Sequence, residues 1–510
     1  MEILLAALPL VVALVMLAVL QRSALQTSIV TLAVAIGIAV AVPSLRLSLN
    51  HLLVALASGI SSSLTVLYIL FPALLLYQLQ QTKDGMNVLA RGIARLCPDR
   101  DLLVLLIVLG IAPFGESVSG FGVGTVIVIP ILMAMGIDTL QAAMLGLLGQ
   151  VAVPWGGLAV GTAIGAQLTR LDPGVLGAYT ALITAPLPFG FGLVALAMVG
   201  GRAALQRRWV SACVAGLVLV GGEWLFSQVP GIELAGALAS LLSLALLATW
   251  GYILARRSPQ ASVNRENILP NTSGEEPHVE NSSNALPLWR VVASYAFLTG
   301  TLLLSRLVLP IRDWLQTHAV LSASTIALHL PILYNPGFLV LLSAFASVPL
   351  LHISSAEVGK TIVRTWRQFA PGAVAILCFL AASQVMNASG MTTVLGSAAA
   401  TLGSNYGWIA PWLGAVGGWL TGSNTGGNAM FALLQKDVSL RAHLPLNWVM
   451  GAQNGAGSIA TMVSPSRIVL AATTAGLLGK ESYILRKVGP AVLVAVAIIT
   501  LLLVVITSYA

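Results

Sequence analysis

Apolar runs of near membrane-spanning length recur from one end of the chain to the other, separated by short polar or basic stretches. In the first half they lie near 3–20, 26–43, 51–80, 101–114, 119–136, 138–153, 174–200, 209–222 and 231–255. In the second half they lie near 289–309, 322–333, 337–353, 370–387, 390–402, 407–420, 424–435, 444–462, 466–479 and 488–508. A helix needs about 20 apolar residues to cross the hydrocarbon core, so runs of roughly 10–14 predict re-entrant hairpins or broken helices. The hydrophobicity is continuous rather than alternating, which favours helices over a barrel. The pattern predicts an all-α polytopic membrane protein with two inverted repeats, re-entrant hairpins and about 12–14 membrane segments.

Two small-polar interruptions break these runs, one in each half. The first is Phe114-Gly115-Glu116-Ser117-Val118-Ser119-Gly120-Phe121-Gly122-Val123-Gly124-Thr125, and the second is Leu420-Thr421-Gly422-Ser423-Asn424-Thr425-Gly426-Gly427-Asn428-Ala429. Non-helical backbone survives at membrane depth only where protein surrounds it or where it lines a cavity. Breaks at corresponding positions of two halves are the sequence mark of a transporter's binding site. The likeness extends further. Gly149-Gln150 and Pro154-Trp155-Gly156-Gly157 follow the first break, and Gln453-Asn454, Gly457-Ser458 and Ser464-Pro465 follow the second. Second breaks are therefore expected at 150–162 and 453–466. Helix packing on small residues explains the glycines, but buried amides such as Asn424, Asn428, Gln453 and Asn454 need partners.

Composition supports this class: 57% of residues are hydrophobic and 8% charged, against about 25% charged in soluble domains. The net charge of +8 sits in short loops, the mark of orientation in a bilayer and not of a nucleic-acid partner. Basic clusters at Lys83–Arg100, Arg202–Arg208, Arg256–Arg265, Arg364–Arg367 and Lys480–Lys487 all fit one cytoplasmic side, with both termini outside. Glu2 precedes the first run and Arg22 follows it, so 3–20 reads as a retained span rather than a cleaved signal peptide. The polar stretch 256–287 reads as a flexible cytoplasmic linker between membrane halves 1–255 and 288–510. Gly85–Arg95 reads as an interfacial amphipathic helix. Cys97, Cys213 and Cys378 match no metal spacing and imply no disulfide framework.

Gly115-Glu116 followed by Ser119-Gly120-Phe121-Gly122 resembles a signature of the L-lactate permease family. Thr421-Gly422-Ser423-Asn424-Thr425 with Asn428-Ala429, and Gln453-Asn454 with Gly457-Ser458 and Met462-Val463-Ser464-Pro465, resemble that family's C-terminal signature. The specific motifs lie in about 110–165 and 413–470, where small-polar breaks interrupt apolar runs. Val123-Gly124-Thr125 stands where the family pattern has Ala-Pro, and Ser466-Arg467 where an uncharged residue is expected. The resemblance implies a bacterial inner-membrane symporter that takes up L-lactate, D-lactate or glycolate with a proton. It also implies kinship with an ion-transporter superfamily whose paired hairpins carry Ser-Asn-Thr motifs. A sodium-coupled carboxylate carrier of the same superfamily is the alternative.

The chemistry required is modest. A 2-hydroxy acid presents a carboxylate beside a hydroxyl, and backbone N–H groups at hairpin tips and half-helix N-termini hold anions without a full charge. Ser117, Ser119, Gly120, Phe121 and Gly122 at the first break, and Ser423, Asn424, Thr425 and Asn428 at the second, form the expected shell. Gln150 and Gln453 bond the hydroxyl or hold the hairpins, with Asn454, Ser458 and Ser464 beside them. Glu116 is the candidate proton carrier, because intramembrane acids are rare and costly; the alternative is a structural acid that caps a hairpin arm. Arg467 either forks the substrate carboxylate or pairs with Glu116. Glu223 and Glu233 are expected in solvent at an outer loop, and Asp138 as a helix N-cap. His329 and His352 are expected to be packed or interfacial. Trp155, Trp412, Trp419 and Trp448 read as interface anchors or packing residues. No serine–histidine or paired-aspartate motif suggests an enzyme. No metal or cofactor is called for, and a homodimer is left open.

Overall fold

The computed structural model describes residues 2–20, 22–85, 88, 99–120, 122–229, 231–257, 286–326 and 328–509. The expected amphipathic helix after Gly85, most of the 256–287 linker, Cys97 and Phe121 lie outside the described residues. Among those described, eight helices are long and apolar enough to cross a membrane, or nine if one bent pair counts as a span. The remaining apolar runs form shorter helices. The fold is all-α and polytopic.

Two long helices make a frame. Leu49–Gln81 starts on an N-cap from Ser48, and Ser355–Ala388 on a capping box between Ser354 and Glu357. Gly59 faces the backbone of Ala381, Gln78 donates to Gln368 (2.6 Å), and Lys83 pairs with Glu357 (2.9 Å). Those pairings mean that the two helices run antiparallel. Each is about 50 Å long at 1.5 Å per residue, enough to cross the bilayer fully.

Inside the frame, the same order of pieces occurs in each half. Ala112–Ser119 turns through Gly120 and Gly122 into Val123–Ala134. Ala410–Thr421 turns through Gly422 into Asn424–Arg441. These turn glycines have φ of 71°, 82° and 64°, a region that suits residues without Cβ. The arms close on glycine contacts: Gly124 sits against the carbonyl of Ala112, and Gly427 against the backbone of Gly417 and Gly418. A broken helix follows each hairpin. Thr139–Leu148 bends by 62° into Val153–Thr169. Leu446–Ala460 gives way to a short turn, Thr461–Val463, and then Pro465–Thr474. Each hairpin packs on its own broken helix. Thr125 Oγ1 donates to the Gly146 carbonyl (2.9 Å), while Gly414 and Gly418 lie against the carbonyls of Gln453 and Gly457.

Several expectations shift. The first break is narrower than 113–125, because Glu116 and Ser117 are helical and only residues around 120–122 unwind. Gln453 and Asn454 lie within the continuous helix Leu446–Ala460, and the break begins only at Thr461. Their amides find partners on neighbouring helices, so the backbone has no need to open. The apolar run 322–333 forms an antiparallel hairpin, Val320–Ala323 with Leu328–Pro331. At twelve residues, with Ser322, Ser324 and Thr325 among them, it is too short and polar to span. Glu223 is buried at 2% exposure instead of solvated, and Glu233 pairs with Arg306 (3.2 Å). Trp155 is a packing residue, fully buried with its Nε1 donating to Ser227 (3.0 Å). His352 is exposed at a turn, and Asp138 caps its helix as expected, accepting from Leu140 and Gln141.

The glycine contacts make a sharp stability prediction. A side chain at Gly418 would enter the space of the Gly457 carbonyl, whereas a Cβ at Gly489 would meet no other described residue within 4 Å beyond its own helix turn. Gly418→Val is expected to destabilise the protein by about 1–3 kcal/mol through overpacking, lowering its melting temperature in detergent. Gly489→Ala is expected to leave that temperature unchanged or slightly raised, and equal melting of the two variants would contradict the packing shown.

Candidate functional site

The first cluster centres on a charge from each half. Glu116 reaches past the turn, and its Oε2 accepts from the backbone N–H of Gly122 (3.0 Å), so it caps the second arm of its own hairpin. The same carboxylate takes a two-point fork from Arg467, with Nη2 to Oε1 at 3.0 Å and Nη1 to Oε2 at 3.2 Å. Arg467 sits in the first turn of Pro465–Thr474, where its backbone N–H donates to the N-cap Ser464 (3.3 Å). Its Nη1 also donates to Gln150 Oε1 (2.9 Å), and Gln150 Nε2 donates to Thr125 Oγ1. The two charged side chains are only 1% and 7% exposed. Gly122 allows this approach, since a Cβ there would lie 2.7 Å from Arg467 Nη1.

A cavity of about 340 Å³ has Arg467 in its wall. The second hairpin's tip supplies Thr421, Gly422 and Ser423 to its wall, and Ser466 adds a hydroxyl. The long helix Ser355–Ala388 closes it with Gln368, Gly372 and Phe379. Arg467 therefore belongs both to a buried ion pair and to the wall of a space of small-molecule size.

A second cluster is made of amides. Asn454 Oδ1 accepts from Asn424 Nδ2 and Asn428 Nδ2, both at 2.8 Å. Asn454 Nδ2 donates to Thr162 (2.9 Å) and Thr180 (3.0 Å), and Asn428 Nδ2 donates to the Gly161 carbonyl (3.0 Å). These bonds tie the second hairpin and its broken helix to the first half. Gln435 extends the network, donating to Gln453 Oε1 and the Ala410 carbonyl (2.8 Å each) and accepting from Tyr406 (2.9 Å).

The candidate residues thus fall into three groups. Ser423 and Arg467 line the cavity, with Ser464 beside Ser466 (3.2 Å). Glu116, Gly122 and Gln150 stand behind Arg467. Asn424, Asn428, Gln453 and Asn454 belong to the amide network. Ser117 bonds the Pro113 carbonyl (2.8 Å) and packs on Gly236, away from the cavity. Gly120 packs on Gly157, and Thr425 is buried in the hairpin's second arm. The buried Ser119 Oγ, Ser458 Oγ, Asn428 Oδ1 and Gln453 Nε2 have no hydrogen-bond partner among the described residues. Sequence reasoning missed Gln368, Gly372 and Ser466. Gln368 and Gly372, which flank Pro371 in an apolar run, were the available signal.

Removing the amide hub tests the network. Asn454→Ala would strip two buried amides of their shared acceptor, at a cost of about 2–4 kcal/mol. Thermal unfolding in detergent is expected to show a drop of several degrees, and an unchanged midpoint would contradict the network.

The comparisons with known proteins agree with the motifs. The L-lactate permease of Salmonella typhi is 25% identical over 483 residues, covering 89% of this chain and 86% of its own length. Glycolate permease GlcA of Escherichia coli (strain K12) is 26% identical over 517 residues, covering 95% and 91%. The L-lactate permease of Bacillus subtilis (strain 168) is 26% identical over 518 residues, covering 92% and 89%. Among solved structures, the Alcanivorax borkumensis YdaH transporter aligns with a TM-score of 0.44 and 14% identity, covering 89% of this chain and 87% of that one. The family profile described as L-lactate permease matches residues 2–509, and the chain belongs to that family.

Proposed function

We propose that this protein imports a small 2-hydroxy monocarboxylate (lactate or glycolate) across the bacterial inner membrane by proton symport. Relatives that bear the names L-lactate permease and glycolate permease support a lactate-type transporter rather than an enzyme. One observation carries the mechanism: Arg467 lines the cavity while its fork holds Glu116. A substrate carboxylate entering the cavity competes for that guanidinium, with the Ser423 and Ser466 hydroxyls and the tip backbone completing its shell. As Arg467 turns to the substrate, Glu116 loses its counter-charge. A buried carboxylate without a partner is costly, so Glu116 takes up a proton. The empty site, with one acid and one base, is neutral. The loaded site holds two anionic groups, one guanidinium and one proton, and is neutral again. Equal charge in both states lets the loaded and empty carriers reorient without working against the membrane potential, which is worth about 2.3 kcal/mol per charge per 100 mV.

The two hairpins, each paired with a broken helix, fit an inverted repeat that exposes the central site to each side in turn. By the loop charges, the end carrying Lys83 and Glu357 is cytoplasmic. Sodium coupling is the second reading. It draws on the buried oxygens of Asn428 and Ser458 that have no hydrogen-bond partner among the described residues and suit a hard cation.

Proteoliposome uptake of labelled lactate, glycolate, acetate and succinate under an imposed pH gradient, with and without sodium, separates these readings. Proton symport predicts lactate and glycolate uptake driven by the pH gradient and indifferent to sodium; stimulation by sodium at fixed pH favours the second reading. Glu116→Gln is expected to abolish gradient-driven uptake while leaving substrate exchange. Arg467→Lys, which loses the fork, is expected to weaken substrate affinity at least about tenfold. Near-normal affinity in that variant would remove Arg467 from the substrate's shell.

A further inference from the structure

A second cavity, of about 470 Å³, lies toward the end of the long helices Leu49–Gln81 and Ser355–Ala388 that is away from the Lys83–Glu357 pair. Gln384 and Asn387 line it from the last turns of Ser355–Ala388, whose earlier residues Gly372 and Phe379 line the Arg467 cavity. Lys436 enters from Asn424–Arg441, whose tip forms the wall beside Arg467. Arg170, at the C-cap of Gly156–Thr169, enters from the first half's broken helix. From Gly426 to Lys436 the path along the helix is about 15 Å, so one helix, Asn424–Arg441, borders both cavities.

The charges in this cavity are unbalanced. Among the described residues neither Arg170 nor Lys436 has a carboxylate within ion-pair distance. The one acid on the wall, Asp437, is taken by Arg441 (2.7 Å). Asp172, two residues beyond Arg170, caps the next helix by accepting from Val175 N–H (3.0 Å). A cation at a helix C-terminus is favourable by itself, which explains Arg170 alone. It does not explain why Lys436 shares the same concavity, where the two like charges repel. An anion bridging them turns that repulsion into attraction, and the surrounding Ser58, Gln167 and Gln384 offer hydrogen bonds to a neighbouring hydroxyl.

We infer that this cavity is a receiving site for the substrate anion on the outer side, where Arg170 and Lys436 hold a small carboxylate before it reaches Arg467. The inference rests on the carboxylate-carrier reading above. A concave, positively charged mouth raises the local concentration of anions, and added salt weakens it. Neither side chain touches Glu116, Arg467 or Gln150, so the coupling step itself is untouched.

The test measures labelled lactate entry in cells expressing the full chain, and efflux from preloaded cells. Wild type, Arg170→Gln, Lys436→Gln, the double variant and Lys436→Arg are compared at low and high salt. The double variant is expected to raise the KM for entry at least about fivefold, with maximal rate and the KM for efflux within about twofold of wild type. Its KM is expected to lose most of its salt dependence, and Lys436→Arg is expected to retain wild-type behaviour. An unchanged KM for entry in the double variant overturns the receiving site while leaving the carrier reading intact. So does an equal rise in both directions, which marks a structural role. Wild type that carries no carboxylate in either direction overturns the carrier reading, and the receiving site with it.

Discussion

The Glu116–Arg467 pair is the interaction on which the centre of this molecule depends. It joins residues 351 positions apart, one from each half, in a setting where both side chains are almost completely buried. Either charge left alone there is costly, since removing one partner of a buried pair costs about 3–5 kcal/mol. The first hairpin's tip, the break before Pro465 and the side chain of Gln150 are all arranged to satisfy that pair. A bond this dependent on its partner responds strongly to any ligand that competes for one end. That dependence is what makes it a candidate coupling element rather than a mere strut.

Around the pair, two kinds of packing keep irregular backbone stable at membrane depth. Glycines let the hairpin arms and broken helices meet backbone to backbone, as between Gly418 and Gly457. Buried amides then satisfy one another across the same contacts. Asn454 alone makes four such bonds, two of them to threonines of the first half. Every residue from Asp101 to Gly120, through the first hairpin's leading arm, is buried in protein, as unwound backbone at membrane depth requires. The long helices Leu49–Gln81 and Ser355–Ala388 provide the outer wall, and the second of them borders both cavities.

Much of this centre was legible in the sequence. Glycines followed by polar residues in apolar runs marked both hairpin tips, and the isolated charges Glu116 and Arg467 stood out against them. The pattern could not locate the break near Gln453 and Asn454, because whether a buried amide opens its own helix or bonds a neighbour depends on the partners that tertiary packing brings. Glu223 looked like a loop acid from its nearness to Pro230 and Gly231, yet its helix continues to Gln228 and carries it inside. The run 322–333 shared the hydrophobicity of a span without its length. The contribution of Ser355–Ala388 to the cavity was hidden, since an amphipathic long helix gives no sign of which partner its polar residues face. The 256–287 linker and the interfacial helix after Gly85 remain expectations from composition.

The central claim is that substrate and proton arrive together because one guanidinium serves two carboxylates. Proton uptake on binding tests it most directly. Lactate or glycolate is added to the purified protein in weakly buffered detergent solution, and protons taken up are counted against anions bound. The account predicts close to one proton per carboxylate for the wild type and none for Glu116→Gln. Anion binding without proton uptake in the wild type, or the same uptake in both proteins, would contradict it.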